Sequence, residues 1–278
     1  MTSEINSKIN PVEIYRDRKL IWSLSKSDFK TRFAGVYLGT IWAFIQPLVT
    51  VFVYWFVFEK ALHTPGSQTR QGINVPFVCW LMAGLMPWFF FQDAIIGGTN
   101  ALMEYSYLVK KVVFKISILP VVKVISALFV HFFFLALTIV VCWVYGFEPD
   151  LYTLQIIYYA FCMIALVTGL AYATSAIVVF FRDMSQIINI ILQVGVWITP
   201  IMWNLDSMKS DMSPVVLTIL KLNPMYYIVN GYRNSVIYKT GFWNYPWQTL
   251  YFWIFTIVFL WLGTTIFKRV RVHFADVL

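Results

Sequence analysis

The chain has 278 residues, 60% apolar, 19% aromatic and only 12% charged, with a net charge of +8 from 21 basic and 13 acidic side chains. A soluble domain is about 25% charged, so most of this chain has lipid as its solvent. The composition excludes a soluble enzyme, a disordered chain and a secreted disulfide scaffold. Six helices of about 20 residues each would leave room for tails and loops but not for a separate large soluble domain.

In chain order, residues 1–34 form a polar tail with seven basic residues: Lys8, Arg16, Arg18, Lys19, Lys26, Lys30 and Arg32. There is no short apolar stretch followed by a small-residue cleavage site, so no signal peptide is expected. Asn10-Pro11 marks a helix start. At helical spacing Arg16, Lys19, Lys26 and Lys30 share one face, apart from Ile14, Ile21, Leu24 and Phe29. This pattern predicts an amphipathic helix in the membrane surface, its cations toward anionic headgroups.

The predicted spans are 36–58 (with Pro47 as a possible kink), 75–98, 117–146, 152–181, 186–203 and 247–267. A polar loop lies at 63–74. A mixed loop at 99–116 carries Lys110, Lys111 and Lys115. Between the last two spans, 204–246 is irregular, with apolar pieces at 214–222 and 224–238 that each follow a Ser-Pro or Asn-Pro start. The first of these rises only about 13 Å, so both read as re-entrant or interfacial helices, buried in protein or lining a wet cavity. With the N-terminus inside, the tail, the 99–116 loop, Arg182 and the C-terminal end place 14 basic residues inside against 6 outside, and Lys123 lies within a span. The inside excess predicts both termini in the cytoplasm. The charge is therefore topology and an interfacial helix, not a nucleic-acid patch.

The chain has no Gly-Lys dipeptide and so no phosphate-cradling G-x-x-x-x-G-K-[ST] loop; if ATP drives it, another chain hydrolyses the ATP. H-E-x-x-H and G-x-S-x-G are absent, and His63, His131 and His273 are far apart, so a zinc site is not expected. Cys79, Cys142 and Cys162 sit in apolar runs and read as packing. Asp93 and Lys123 lie near the inner ends of their spans, where a boundary or helix-pairing role competes with an ion site that only His131 could extend. The aromatics divide between headgroup anchors and a path for a sliding polymer. For 100–112, with Leu102, Tyr105, Leu108, Val109 and Val112 at three- and four-residue spacing, a partner-docking helix and a solvated connector stand equal.

The runs YLGTIWAFIQPLVTVFVYWFVF (37–58), VPFVCWLMAGLMPWFF (75–90), FFRDM (180–184), ITPIMW (198–203), LNPMYYIVNGYR (222–233) and HFADVL (273–278) occur in this order. Together they resemble the ABC-2 type permease subunits of ATP-binding cassette exporters for bacterial surface polysaccharides. The branch most alike is the wall teichoic acid exporter permease. The resemblance implies an all-α membrane protein of six transmembrane helices, an N-terminal interfacial helix and re-entrant external helices before the last span. It divides the chain into a tail, 1–34, and a membrane domain, 35–278. It further implies a homodimer in the bacterial plasma membrane, joined by two cytoplasmic ATPase subunits that bind ATP and Mg, exporting a lipid-linked polymer and not catalytic alone.

On the same resemblance, Glu104, Tyr105, Leu108, Lys110 and Lys111 form the ATPase-coupling helix, with Arg182 and Asp183 as a second contact. Arg16, Lys19, Lys26 and Lys30 guide the headgroup and pyrophosphate. Where relatives often carry a proline, this chain has Phe114-Lys115-Ile116. The expected path aromatics are Tyr37, Trp42, Trp88, Phe90 and Trp197. The alternatives are a permease for O-antigen or capsule polysaccharide, one for a small lipid or drug, a membrane transferase acting on lipid-linked sugars, or an ion-coupled transporter.

Overall fold

The computed structural model describes residues 15–62, 67–70, 73–110, 114–205 and 212–277. The expected helix start at Asn10-Pro11 and the residues Lys8, Lys111 and Lys209 lie outside the described residues.

The first helix, α1 (Arg18–Thr31), contains no glycine or proline and turns Ile21, Ser25 and Asp28 inward. Arg16, Lys19, Lys26 and Lys30 face outward, as their spacing predicts. The opposite face is not simply apolar, because Ser25 and Asp28 are as buried as Ile21. Gly35 (φ +87°) and Gly39 (φ +51°) then take left-handed turns that a side chain would strain. They delay the first span to α2 (Trp42–Trp55), which runs through Pro47 and continues as a wider turn to Ala61.

The polar loop after it holds a small antiparallel hairpin, β1 (Ser67–Arg70) and β2 (Ile73–Pro76), paired from Ser67↔Pro76 to Arg70↔Ile73. This is a local exception to the all-helical expectation. Next, α3 (Phe77–Glu104) is 28 residues long, so 99–104 is the end of a helix rather than loop. A break at Tyr105 (φ −102°, ψ 28°) separates it from the short α4 (Ser106–Val109). Helices α5 (Leu119–Val144) and α6 (Gln155–Val178) follow, close to the predicted spans.

The predicted span at 186–203 needs correction. Helix α7 (Met184–Ile198) has only 15 residues, about 22 Å of rise against a hydrocarbon core of about 30 Å. Pro200 explains the early stop: it biases the residue before it toward extended backbone, and Thr199 has φ −74° and ψ 127°. The described residues therefore hold five helices long and apolar enough to cross a membrane, plus this shorter one.

Helices α8 (Pro214–Leu222) and α9 (Pro224–Arg233) begin where the Ser-Pro and Asn-Pro pairs place them. Asn223 caps α9 through the Met225 amide at 3.0 Å, and its Nδ2 donates to Thr199 Oγ1 at 2.8 Å, fixing the helix to the end of α7. The chain stays buried through Tyr238 and meets the last span, α10 (Pro246–Val270), and a terminal turn, α11 (Phe274–Val277).

Helix α3 lies at the centre, packed by α5, α6 and α9, and 72% of its most apolar stretch is buried against 11% for the first span. One core fills the end carrying β2, the start of α6 and α9. A second core fills the end carrying α1 and the C-terminus, where Ile21, Leu102, Val122, Tyr172, Phe267 and Phe274 meet.

Beyond α9, Lys239 adopts left-handed backbone (φ 51°, ψ 47°). Its Nζ donates to the Glu148 carbonyl at 2.7 Å and to Asp150 Oδ1 at 3.0 Å. Burial raises the Asp150 pKa, but the Lys239 ammonium outweighs it and holds the carboxyl below its usual range. Lys239→Gly and Lys239→Ala both lose these contacts, but only glycine relieves the backbone. In detergent melts Lys239→Gly should keep about 1 kcal/mol more stability than Lys239→Ala; equal stability would refute the strain argument.

Candidate functional site

A cavity of about 580 Å³ opens between α2, α3, α5 and α7, within the range of ligand-sized sites. Its positions on α3 run from Leu85 to Ile96, about 16 Å of helix rise. Rings form much of the wall: Trp88, Phe89 and Phe90 from α3, Phe134 from α5 and Trp197 from α7. Gln46, Thr50, Gln92 and Gln193 add uncharged polar groups.

Two of these rings are firmly held. A Cβ at Gly195 would come within 2.9 Å of the Trp88 ring, so α7 offers a seat that only glycine leaves open. Phe90 lies 5.1 Å from the His131 ring, centroid to centroid, and His131 Nε2 is 2.9 Å from the Tyr232 hydroxyl.

Charge enters the cavity at one end. Arg32, just after α1, donates from Nη1 to both oxygens of Asp93, at 2.7 and 2.8 Å. Behind that pair lies a second group of charges. Lys123 of α5 is buried and donates to Asp28 Oδ1 at 2.6 Å and to Glu104 Oε2. The Tyr105 hydroxyl donates to the same Asp28 oxygen at 2.7 Å, and the second Asp28 oxygen lies 4.0 Å from Arg32. Burial pushes the Asp28 carboxyl up, but Lys123 and Tyr105 together hold it below the usual carboxylate range. Burial and the Asp28 carboxylate both push the Tyr105 phenol up, so it remains a donor. Asp93 and Lys123 thus do pair helices, though with Arg32 and Asp28 rather than with each other.

Of the five expected path aromatics, Trp88, Phe90 and Trp197 line the cavity. Tyr37 and Trp42 do not. The Gly35 and Gly39 turns leave Tyr37 fully exposed ahead of α2, and Trp42 opens that helix on an exposed face.

The expected coupling residues divide too. Glu104, though about half exposed, and Tyr105 bond Lys123 and Asp28, while Lys110, Arg182 and Asp183 are exposed with no such bond among the described residues and Leu108 is half-buried. Ser185 Oγ is 2.6 Å from Asn100 Oδ1, which ties the turn carrying Arg182 and Asp183 to the end of α3. Lys111 falls outside the described residues.

Sequence reasoning missed Asp28 and Arg32. Their signal was faint but present: Asp28 falls on the inward face with Ile21 and Ser25, and Arg32 follows it by one turn.

A family model described as ABC-2 type transporter matches residues 19–237. The chain is 28% identical to the O-antigen export system permease protein RfbA of Myxococcus xanthus over 266 residues, covering 95% of this chain and 97% of that protein. Two proteins of the same description from Klebsiella pneumoniae are 25% and 24% identical, each over 93% of this chain and 95% of their own length.

Proposed function

The chain belongs to the ABC-2 type transporter family, and from that premise we propose that it is the permease subunit of an exporter that moves a lipid-linked polymer from the cytoplasm to the cell surface. The observation that carries this reading is the cavity, walled by Trp88, Phe90 and Trp197 and charged only where Arg32 meets Asp93. Such a site suits a long chain of sugars: flat rings give many weak contacts, and no charge deep inside makes a trap. The full-length similarity to O-antigen permeases favours a polysaccharide of that type over the teichoic-acid polymer that the sequence resemblance implies.

In this reading the end carrying α1 and the C-terminus faces the cytoplasm. The exposed Arg16, Lys19, Lys26 and Lys30 meet anionic headgroups there. The α3–α4 elbow, with Lys110, Arg182 and Asp183 beside it, docks a cytoplasmic ATPase that supplies bound ATP and Mg. A second copy of the chain covers the first span, most of whose surface is open, and completes the path between protomers. A transferase would need Asp93 or His131 free to react; here Arg32 holds the first and Tyr232 engages the second.

The test is reconstitution of the chain with and without its ATPase, scoring lipid-linked polysaccharide and polyol-phosphate polymer that cross the membrane. Export of polysaccharide only with ATPase and ATP supports the reading, and export by the chain alone overturns it. In the same assay Trp197→Ala should lower export about tenfold, the loss of roughly one ring contact. Tyr37→Ala should leave the rate unchanged. Equal effects would remove Trp197 from the path.

A further inference from the structure

Five charged side chains of alternating sign run from the α3–α4 elbow to the cavity: Glu104, Lys123, Asp28, Arg32 and Asp93. They come from three helices and the residue after α1. The first pair sits where α3 breaks at Tyr105, and the last lies in the cavity wall. Beyond holding helices together, no role described so far uses Lys123, a buried cation between two carboxylates from different elements.

We infer that Lys123 is a positioning residue that couples movement of the α3–α4 elbow to the Arg32–Asp93 pair at the cavity end, an inference that rests on the exporter reading above.

The two Lys123 contacts are unequal. Asp28 is buried, while the Glu104 side chain is about half exposed. Water can replace Lys123 at Glu104 but not at Asp28. A push on the elbow therefore loosens the Glu104 contact first, while the Tyr105–Asp28 bond carries α1 along with the elbow. Lys123 then leans more on Asp28, Asp28 draws less on Arg32, and Arg32 closes more firmly on Asp93. Seating the elbow reverses each step. Tyr105, bonded to the same Asp28 oxygen and with its ring 5.2 Å from the Lys123 ammonium, keeps the elbow in register with α1. At the far end of α1, Lys115 Nζ bonds Asp17 at 2.7 Å, so the helix is pinned at both ends of its inner face.

The experiment uses the full complex with its ATPase in proteoliposomes and two readouts. One is ATP hydrolysed against polymer exported. The other needs no polymer: spin labels at the exposed Ser27→Cys on α1 and Tyr107→Cys at the elbow, compared without nucleotide and trapped with ATP and vanadate. In the parent complex the two labels keep one narrow separation in both states, because α1 follows the elbow. With Lys123→Met that separation should shift and broaden on trapping, and export per ATP should fall about tenfold while hydrolysis stays within about twofold. Glu104→Gln, at a half-exposed site, should do the same more weakly, and Lys123→Arg should restore most of the export.

Unchanged label separations in both Lys123→Met and Glu104→Gln overturn the inference, as does a fall of hydrolysis and export in equal proportion. If Lys123→Met does not yield a monodisperse complex, Glu104→Gln decides. If the parent complex exports no polymer, the exporter reading fails, and the label separations still decide whether Lys123 transmits the movement.

Discussion

Arg233→Met should lower the unfolding free energy by on the order of 4 kcal/mol, measured by denaturant titration in mixed micelles. The arginine is buried and closes α9 against two other elements. Its Nη1 donates to the Pro200 carbonyl at 2.8 Å and its Nη2 to the Ile201 carbonyl at 2.7 Å. Its guanidinium carbon lies over Trp80, 3.4 Å from the ring centroid. Methionine fills the space but leaves two buried carbonyls without these donors, each worth about 1–3 kcal/mol, and removes a desolvated cation–π contact worth about 2 kcal/mol. The hydrophobic surface it adds recovers part of that loss. Arg233→Lys keeps the charge but cannot reach both carbonyls and stay over the ring, so it should fall between the two. Gly84 tests the same clamp from outside, since a Cβ there would lie 2.6 Å from Nη2. An Arg233→Met protein within about 1 kcal/mol of the parent would show that the clamp holds nothing together.

The uneven legibility of this chain follows from which forces are local. The long spans follow from apolar length alone, and the starts of α8 and α9 were readable because Ser213, Asn223 and the prolines after them act on their own neighbours. Pro200 is equally local and marks the early end of α7, but the apolar run continues past it to Trp203 and masks that stop. The charges were not local. Arg32 meets Asp93 across 61 positions and Lys123 meets Asp28 across 95, and nothing at either residue names its partner. Arg233 is one of the six basic residues that the charge count places outside, and nothing beside it in the sequence names the Pro200 and Ile201 carbonyls it meets. The rings were ambiguous in kind: Tyr37 and Trp197 both suit a headgroup layer, and only packing puts the second in a cavity wall and the first in open space.

Gly263→Leu should be the other severe substitution, lowering stability by about 3 kcal/mol or more. A Cβ at Gly263 of α10 would lie 2.1 Å from the Gly169 carbonyl oxygen of α6, and one at Gly169 would lie 2.8 Å from the Leu260 amide nitrogen. Both obstructing atoms are backbone, so no rotamer change can make room. The helices must separate, and every contact along their shared stripe is lost with them. That stripe is tight: Phe252, Thr256, Gly263 and Phe267 are the buried positions of α10, spaced by four, seven and four residues. Membrane helices gain little from burying apolar surface against each other, because lipid is as apolar as leucine. Close backbone approach at small residues is therefore a main source of this contact, and a side chain there removes it at the root. The effect should extend to the basic end, because Phe267 packs on Tyr172 at 5.3 Å and on Phe274 at 5.4 Å, the contacts that anchor the C-terminal turn. Trp261→Leu, on the open side of the same helix, supplies the control and should change stability by less than about 0.5 kcal/mol. If Gly263→Leu melts with Trp261→Leu, α6 and α10 are not held by this approach. If Gly263→Leu alone collapses and also frees the C-terminal turn to protease, the glycine pair is what joins the last span to the bundle.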